Sequence, residues 1–327
     1  MADRPARLNL VNTLVLFLAS AASVALLHRA SHATAVWEIA LCALTFSFTA
    51  NTLFSLFHEA VHGVLFSRRA LNEWGGRWAG VFFPTGLLMQ RAFHLTHHRN
   101  NRSPLEQFDI LHEGDVAWLQ RAQGYAILPG VYWVVAVFGA VAFLFIPRAL
   151  ATRSLRDGGQ VSTQTSSSAY LEALDRIPPV RARLEIAGAF ALQAALFVLC
   201  DLSLVGWLAC YAAFGLQWSS LQYADHAFSP LDPRDGAHDL RVSVLTRAFF
   251  LNYHLHLAHH RDPKASWVQL PALVDEARDR PSFWRVWLRM WRGPVKEADF
   301  LAELGATTEG ASSEAALPSN RVAEAQT

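Results

Sequence analysis

Long, uninterrupted runs of apolar residues are the dominant pattern of this chain. Leu8–Leu27 carries no charged residue, and Ala35–Phe57 carries only Glu38. About twenty apolar residues span a hydrocarbon core of roughly 30 Å as a helix, whereas a soluble helix of that length normally shows a polar face. Further runs cover Tyr125–Pro147, Leu184–Cys200 and Leu202–Ser219. The pattern predicts an all-α, integral-membrane helical bundle.

The distribution of arginine predicts how this bundle is oriented. Residues 58–124 and 148–183 are rich in arginine, and Arg4 and Arg7 precede the first apolar run. The connection between the first two runs holds only Arg29. Because loops that carry Lys and Arg stay on the cytoplasmic side, the N-terminus and both arginine-rich segments are predicted to be cytoplasmic.

This orientation constrains the run that lies between the two arginine-rich segments, Tyr125–Pro147. A segment whose two flanks lie on the same side cannot cross the membrane once. It is therefore predicted to be re-entrant or interfacial, with breaks at Pro129-Gly130 and Gly139. The last two apolar runs then form a hairpin that turns at Asp201. The prediction is about four full crossings, one incomplete crossing and a helical cap on the cytoplasmic side.

Composition bears on the partners, the cofactors and the domain organisation of the chain. The formal net charge is +1 and the basic residues form no dense cluster, so no nucleic-acid partner is predicted. The three cysteines lie within apolar runs, and the chain has no glycine-rich nucleotide-binding fingerprint. Residues 1–303 are predicted to form one membrane domain. Residues 304–327, rich in Ala, Glu, Ser and Thr without periodicity, are predicted to be a disordered tail.

Histidines form the most distinctive chemical pattern. The chain has fourteen, and most of them fall in short clusters. Residues three and four apart share a helix face, and several neutral imidazoles on one face cannot satisfy each other's hydrogen bonds. A metal ion resolves this by accepting their lone pairs. The clusters are His58-Glu-Ala-Val-His62, His94-Leu-Thr-His97-His98 and His254-Leu-His256-Leu-Ala-His259-His260, with the isolated His226 before the last one.

The number of histidines predicts two metal ions rather than one. A single zinc site uses three or four protein ligands, whereas two ions with about five ligands each would use nearly all of the clustered residues. Imidazole suits iron, zinc, copper and nickel, so the ligand type does not name the metal. His254 is a second choice, because it lies two residues from His256 and would face another side of a helix. The candidate ligands are His58, His62, His94, His97, His98, His226, His256, His259 and His260.

These motifs resemble those of the membrane fatty acid desaturase family over roughly residues 35–275. The likeness rests on HxxxH at the end of an apolar run, on two downstream HxxHH boxes, and on Asn252-Tyr253-His254 before the last box. It implies a di-iron centre that uses O2 and two external electrons to remove hydrogens from an acyl chain. It also implies that the eight box histidines and the isolated His226 are the iron ligands.

Four further residues are predicted to support the ligands. The family's asparagine four residues before the isolated histidine is Gln222 here, and Gln222-Tyr-Ala-Asp-His226 is also similar to a box of membrane alkane hydroxylases. Metal-bound imidazoles usually donate their second N–H to a carboxylate or carbonyl. Glu106, Asp109 and Asp225 follow or adjoin a histidine box, so they are predicted, together with Gln222, to contact the imidazoles from behind.

Other functions stay open at this point. Desaturation is preferred, but hydroxylation or ketolation of an alkane, fatty acid or carotenoid shares the same iron chemistry and differs only in positioning. His58-Glu59-Ala-Val-His62 also matches the HExxH motif of zinc proteases, with Glu59 as the base and Asp232 as a further ligand. A metal transporter would place its ligands within the membrane, whereas these histidines lie beyond the apolar runs.

The predicted partners follow from the oxygenase interpretation. The substrate is a lipid or acyl chain, and the electron donor is a separate ferredoxin-, rubredoxin- or cytochrome b5-like protein, because no such segment is fused to this chain. The protein is predicted to be a multi-pass membrane protein with its active site on the cytoplasmic side. The remaining loop histidines, His112 and His238, are predicted to be solvated.

Overall fold

The chain is mostly helical, as predicted. A computed structural model describes residues 4–104, 106–146 and 168–314. In these ranges the named strands are only β1 (Ile110–Leu111) and β2 (Val295–Lys296), which pair in parallel with Ile110 opposite Val295. The helices in chain order are α1 (Arg4–His32), α2 (Val36–His62), α3 (Arg69–Ala79), α4 (Leu87–Asn100), α5 (Ala117–Ala126), α6 (Tyr132–Phe145), α7 (Ser168–Asp175), α8 (Pro179–Leu199), α9 (Leu204–Ala224), α10 (Val244–Phe249), α11 (His256–Arg261), α12 (Phe283–Met290) and α13 (Glu297–Glu314), with a π-helical turn at Ile127–Val131 and a 3-10 turn at Leu270–Ala272.

Helix α2 is the centre of the bundle. Its residues 49–61 are all buried, because α1, α3 and α9 pack around it. Gly63 ends the helix in the left-handed region at φ 79°, which glycine adopts without steric cost, and its N–H donates to the Ala60 carbonyl. Arg91 of α4 donates to the carbonyls of Ala60 and Val61. The C-terminal end of α2, which carries His62, is thereby fixed in place.

Among the described residues, four helices are long and apolar enough to cross a membrane: Pro5–His32, Val36–His62, Ala117–Phe145 and Pro179–Leu199. Three of them coincide with predicted crossings. The fourth helix, Ala117–Phe145, contains most of the run Tyr125–Pro147, for which an incomplete crossing is predicted. Helix α9 has 21 residues and is long enough to cross a membrane, but it is less apolar than these four helices. A full crossing by α9 therefore stays a prediction.

The segment from α5 to α6 is interrupted where the sequence predicts a break. Pro129 and Gly130 leave the helical conformation, and Gly130 has φ 99°. A Cβ atom at Gly130 would come within 2.9 Å of the backbone nitrogen of Leu216 in α9, so only glycine fits this close approach. The break predicted at Gly139 is wrong, because α6 continues through it to Phe145. An apolar sequence with no second proline keeps its helical hydrogen bonds there.

One end of the bundle brings two helix connections together. Helices α8 and α9 form the predicted hairpin, and Asp201 lies in its turn at φ 48°. His28 Nδ1 lies 2.9 Å from the carbonyl oxygen of Cys200, and His32 Nε2 lies 3.8 Å from Asp201. Helix α2 starts at this end and runs for 27 residues, or about 40 Å, to His62 at the other end.

The C-terminal part of the chain is tied to the rest through the β1–β2 pair and then continues as α13. The tail predicted from residue 304 begins inside α13, which the structure describes up to Glu314. Residues 315–327 lie outside the described residues. The disordered tail therefore stays a prediction.

We expect Arg29 and Asp201 to be on the membrane side opposite the histidine boxes. The test is labelling of single-cysteine variants with a membrane-impermeant maleimide in a background that lacks Cys42, Cys200 and Cys210. Arg29→Cys and Asp201→Cys should react from one side, and Arg68→Cys, which follows α2, should react from the other. Labelling of all three variants from the same side would contradict four crossings.

Candidate metal centre

Nine histidines converge from four separate parts of the chain into two adjacent groups. Within each group the ligand atoms lie within 4.8 Å of one another. The groups touch each other, since the His98 and His260 ring centroids are 4.3 Å apart. We call them the five-histidine group and the four-histidine group. The first contains His58, His62, His94, His98 and His259, and the second contains His97, His226, His256 and His260.

Each HxxHH box is divided between the two groups. In α4, His94 and His98 are four residues apart and reach the five-histidine group, whereas His97 reaches the four-histidine group. Helix α11 reverses this arrangement: His256 and His260 reach the four-histidine group and His259 reaches the other. Residues four apart lie almost above one another on a helix, and the residue three along is rotated to the other side of that line. The two boxes therefore supply both groups reciprocally.

In the five-histidine group the Nε2 atoms approach at short, regular distances. His94 Nε2 lies 2.8 Å from that of His58 and 3.0 Å from that of His98. His98 Nε2 is also 3.0 Å from that of His259, and His62 Nε2 is buried without a hydrogen-bond partner. Two imidazoles at right angles around an ion at about 2.1 Å would have nitrogens about 3 Å apart. The spacing fits one metal ion.

The four-histidine group shows the need for a cation most directly. His226 Nδ1 lies 2.9 Å from the Gly236 carbonyl oxygen, which can only accept, so the ring proton is on Nδ1. His97 Nδ1 donates in the same way to Glu106 Oε2 at 2.6 Å. The two Nε2 atoms face each other at 3.1 Å, and with both rings neutral each carries a lone pair and no proton. A metal ion between them would turn this repulsion into binding.

Six imidazoles of the site are held in the neutral form, as ligation requires. Burial is the main cause, and neighbouring histidines add to it. Together they lower the pKa of His98 to about 2 and hold the pKa values of His94, His226, His256, His259 and His260 well below the usual range. Each group could hold a metal ion through neutral nitrogen donors.

Backbone contacts fix the short helix α11 that carries the last box. The carbonyl of His238 accepts the backbone N–H groups of His256 and Leu257 at 3.2 and 3.3 Å, and Asp239 Oδ1 accepts that of Ala258 at 3.0 Å. These bonds satisfy N–H groups that have no partner inside the helix. Two consecutive residues of the preceding loop thus set the position of the box.

Glu106 lies where the sequence predicts it. Its Oε2 atom accepts from His97, and its Oε1 atom accepts from the Tyr170 hydroxyl. Asp109 instead pairs with the buried Arg102 at 2.5 Å and accepts the backbone N–H of Phe228 at 2.6 Å. It therefore holds the loop that follows His226, and it contacts the imidazoles only indirectly.

Gln222 and Asp225 lie on the side of the site that faces Tyr253. The Tyr253 hydroxyl donates to Gln222 Oε1 at 2.9 Å, and its ring centroid is 4.9 Å from that of His58 and 5.2 Å from that of His256. Tyr253 thus lies between the two groups. The Asp225 carboxyl is fully buried, and its oxygens have no hydrogen-bond partner among the described residues. Burial and the neighbouring Asp239 raise its pKa well above the usual range.

Five histidines lie outside both groups, and besides His28 and His32 these are His112, His238 and His254. His254 precedes α11 and is buried, and its pKa is lowered to about 4 by burial and by Arg247 and Arg280. The prediction that His112 and His238 are solvated is wrong. His112 is buried beside Glu297, and His238 Nε2 lies 3.0 Å from the Ala227 carbonyl oxygen.

The HExxH residues do not form a protease site. Glu59 is buried, and its Oε2 accepts the backbone N–H of Trp267 at 3.1 Å. Asp232 is exposed and accepts the backbone N–H groups of Arg234 and Asp235, so it ends a turn and is not a third ligand. Both carboxylates have structural roles.

Sequence reasoning missed two residues that support the site. Tyr170 reaches Glu106 from α7, far from any histidine box along the chain. The Gly236 carbonyl fixes the tautomer of His226, and no sequence pattern marks a backbone atom for such a role. Arg102 could have been noticed, because a cation seven residues before Asp109 can pair with it.

The comparisons with known proteins agree with this geometry. The family model described as fatty acid desaturase matches residues 34–292, which is most of the chain. No curated protein matches the chain.

We expect His226→Ala to lower the metal content about as much as His97→Ala does, because the two residues face each other in one group. The measurement is the amount of metal per chain in the purified protein. His32→Ala is the matched control, since His32 lies at the far end of the bundle beside Asp201. His226 is not a ligand if His226→Ala keeps the metal content of this control.

Proposed function

Because the chain belongs to the fatty acid desaturase family, we propose that it is a membrane-bound, O2-dependent di-iron oxidoreductase that desaturates a lipid acyl chain. The observation that carries this proposal is the pair of adjacent groups in which imidazole lone pairs converge. Two bound irons would supply the chemistry that uses O2 and two external electrons to attack an unactivated C–H bond. The residues of the chain would hold and orient the ligands and shield the site.

The chain's own residues hold and orient the ligand set. Helix α2 presents His58 from the buried part of the helix and His62 from its C-terminal end. The Gly236 carbonyl and the Glu106 carboxylate accept hydrogen bonds from the Nδ1–H groups of His226 and His97, so that Nε2 is free to bind. Such contacts set both the ring orientation and the basicity of a ligating histidine.

Part of the centre is shielded from water. His256 and His259 are only 2 % and 3 % exposed, and the ring of Tyr253 packs against His58 and His256. Four other histidines, His62, His94, His97 and His98, are partly exposed. Exclusion of water strengthens electrostatic interactions where the imidazoles are buried and limits side reactions. The position of the centre at one end of the apolar helices suits a substrate that arrives from the bilayer.

Hydroxylation is the second candidate, because Gln222-Tyr-Ala-Asp-His226 is similar to a box of membrane alkane hydroxylases. After the first hydrogen is removed, desaturation removes a second hydrogen from the substrate, whereas hydroxylation adds an oxygen atom to it. Which of the two follows is a matter of fine positioning of the substrate. A metal transporter is not supported, since the two groups are closed clusters beside one another rather than ligands along a path.

The orientation and the electron donor are also part of the proposal. We place the histidine end on the cytoplasmic side because the arginine-rich segment 58–124 contains the first two histidine boxes. Arginine-rich loops stay on the cytoplasmic side of a membrane. A soluble protein of the ferredoxin, rubredoxin or cytochrome b5 type would deliver the electrons there. Exposed Arg68, Arg69 and Arg99 near the histidine boxes would favour an acidic donor.

We expect the purified protein to contain about two irons per chain, one for each group of histidines. The measurement is elemental analysis of protein produced with iron supplementation and purified without chelators. His98→Ala, which removes a ligand of the five-histidine group, should retain about one iron. A stoichiometry of one zinc that persists after iron supplementation would contradict the di-iron proposal.

We expect the lipids of a host that expresses this chain to contain new unsaturated acyl chains. The readout is mass spectrometry of total fatty acids, compared with a host that expresses His98→Ala. Hydroxylated or oxo products that depend on His98 would favour the second candidate. Identical lipid profiles in the two hosts, with both proteins present in the membrane and an electron donor supplied, would overturn the proposed function.

A further inference from the structure

We propose that Tyr170 is a positioning residue of the four-histidine group, which holds Glu106 against His97 and thereby makes one of the two metal sites depend on helix α7. This inference rests on the proposed function only in taking the two histidine groups as metal sites. It assigns a role to a residue that lies 72 positions after His98 (170 − 98) and outside every histidine box.

Each carboxylate oxygen of Glu106 accepts a hydrogen bond from a side chain. Oε2 accepts from His97 Nδ1 at 2.6 Å, and Oε1 accepts from the hydroxyl of Tyr170. Glu106 is only 4 % exposed, so bulk water does not replace a lost partner. A buried carboxylate that loses one of its two donors is left with an unsatisfied oxygen, which is unfavourable, and more so for a charged group.

The contact matters because His97 is the single ligand that α4 gives to the four-histidine group. The tautomer of His97 is set by the proton that Nδ1 donates to Glu106. If Glu106 rotates away, Nδ1 no longer has a buried acceptor, and Nε2 becomes a competing place for the proton. A protonated Nε2 cannot bind a metal ion. Tyr170 therefore acts on the metal through two hydrogen bonds in series.

Helix α7 is seated firmly enough to impose this geometry. The Tyr170 and Phe93 ring centroids are 5.7 Å apart, and α7 packs along α4. Leu171 and Ala173 of the same helix are buried. The tyrosine thus approaches Glu106 from a packed helix rather than from a free loop.

The two metal sites become unequal as a result. In the four-histidine group one imidazole donates to a carboxylate, which raises its basicity as a ligand. The short polar contacts described for the side chains of the five-histidine group join its imidazoles only to one another. Loss of Tyr170 should therefore affect one metal ion and leave the other as it was.

The test is chelator competition on the reduced, metal-loaded protein, with the retained metal measured by elemental analysis. In Tyr170→Phe we expect about half of the metal to be released at roughly tenfold lower chelator concentration than in the wild type, a size typical of residues behind a ligand. Mössbauer spectra should show one altered iron and one unaltered iron. Tyr223→Phe is the matched control, because it also removes a tyrosine hydroxyl, one that donates to the Phe108 carbonyl and touches no imidazole.

A double-mutant comparison separates positioning from general packing. If Tyr170 acts through Glu106, Tyr170→Phe should add little to the metal loss that Glu106→Gln already causes, because the two residues act in one chain of hydrogen bonds. Independent, additive losses would overturn the proposal. So would a Tyr170→Phe protein that keeps both metal ions as tightly as Tyr223→Phe does.

The outcome is separable from the fate of the proposed function. A wild-type chain that holds two metal ions but changes no acyl chain would contradict desaturation, and the chelator test would still decide the role of Tyr170. A wild-type chain that holds no metal would overturn both.

Discussion

Nine imidazole nitrogens that point their lone pairs at one another are the constraint on which this structure depends. Such an arrangement is repulsive in a buried environment unless a cation accepts the lone pairs. His97 and His226 make the point most clearly, because the Nδ1–H group of each donates a hydrogen bond to an acceptor outside the group and leaves the lone pair of Nε2 facing inward. Free energy released by metal binding therefore becomes part of the free energy that keeps this end of the bundle folded.

The helical scaffold meets this constraint by a property of the α-helix itself. Residues four apart stay together on one face while the residue three along turns away from them. Because α4 and α11 use this rotation in opposite senses, each helix gives two ligands to one group and one ligand to the other. Six of the nine nitrogens are thus divided between adjacent sites without any irregular backbone. Helix α2 adds a further pair from the core, and His226 completes the smaller group.

The sequence identifies the histidines that come together better than it identifies the residues that hold them in place. The nine histidines could be chosen from their spacing, and the structure brings all nine together in two groups. The division of each HxxHH box between the groups was not predicted, since it depends on how α4 and α11 face each other. Tyr170 and the Gly236 carbonyl gave no sequence signal, because their contacts join distant segments. Pro129-Gly130 broke a helix as its chemistry requires, whereas Gly139 did not, since a lone glycine only weakens a helix.

The order of the ligands along the chain has a consequence for biosynthesis. The five-histidine group needs His259, and the four-histidine group needs three residues that follow α9. When only the first four helices have been made, five of the nine histidines of the two groups are present and neither group is complete. A full set of ligands for either ion therefore exists only after the last third of the chain has emerged from the ribosome.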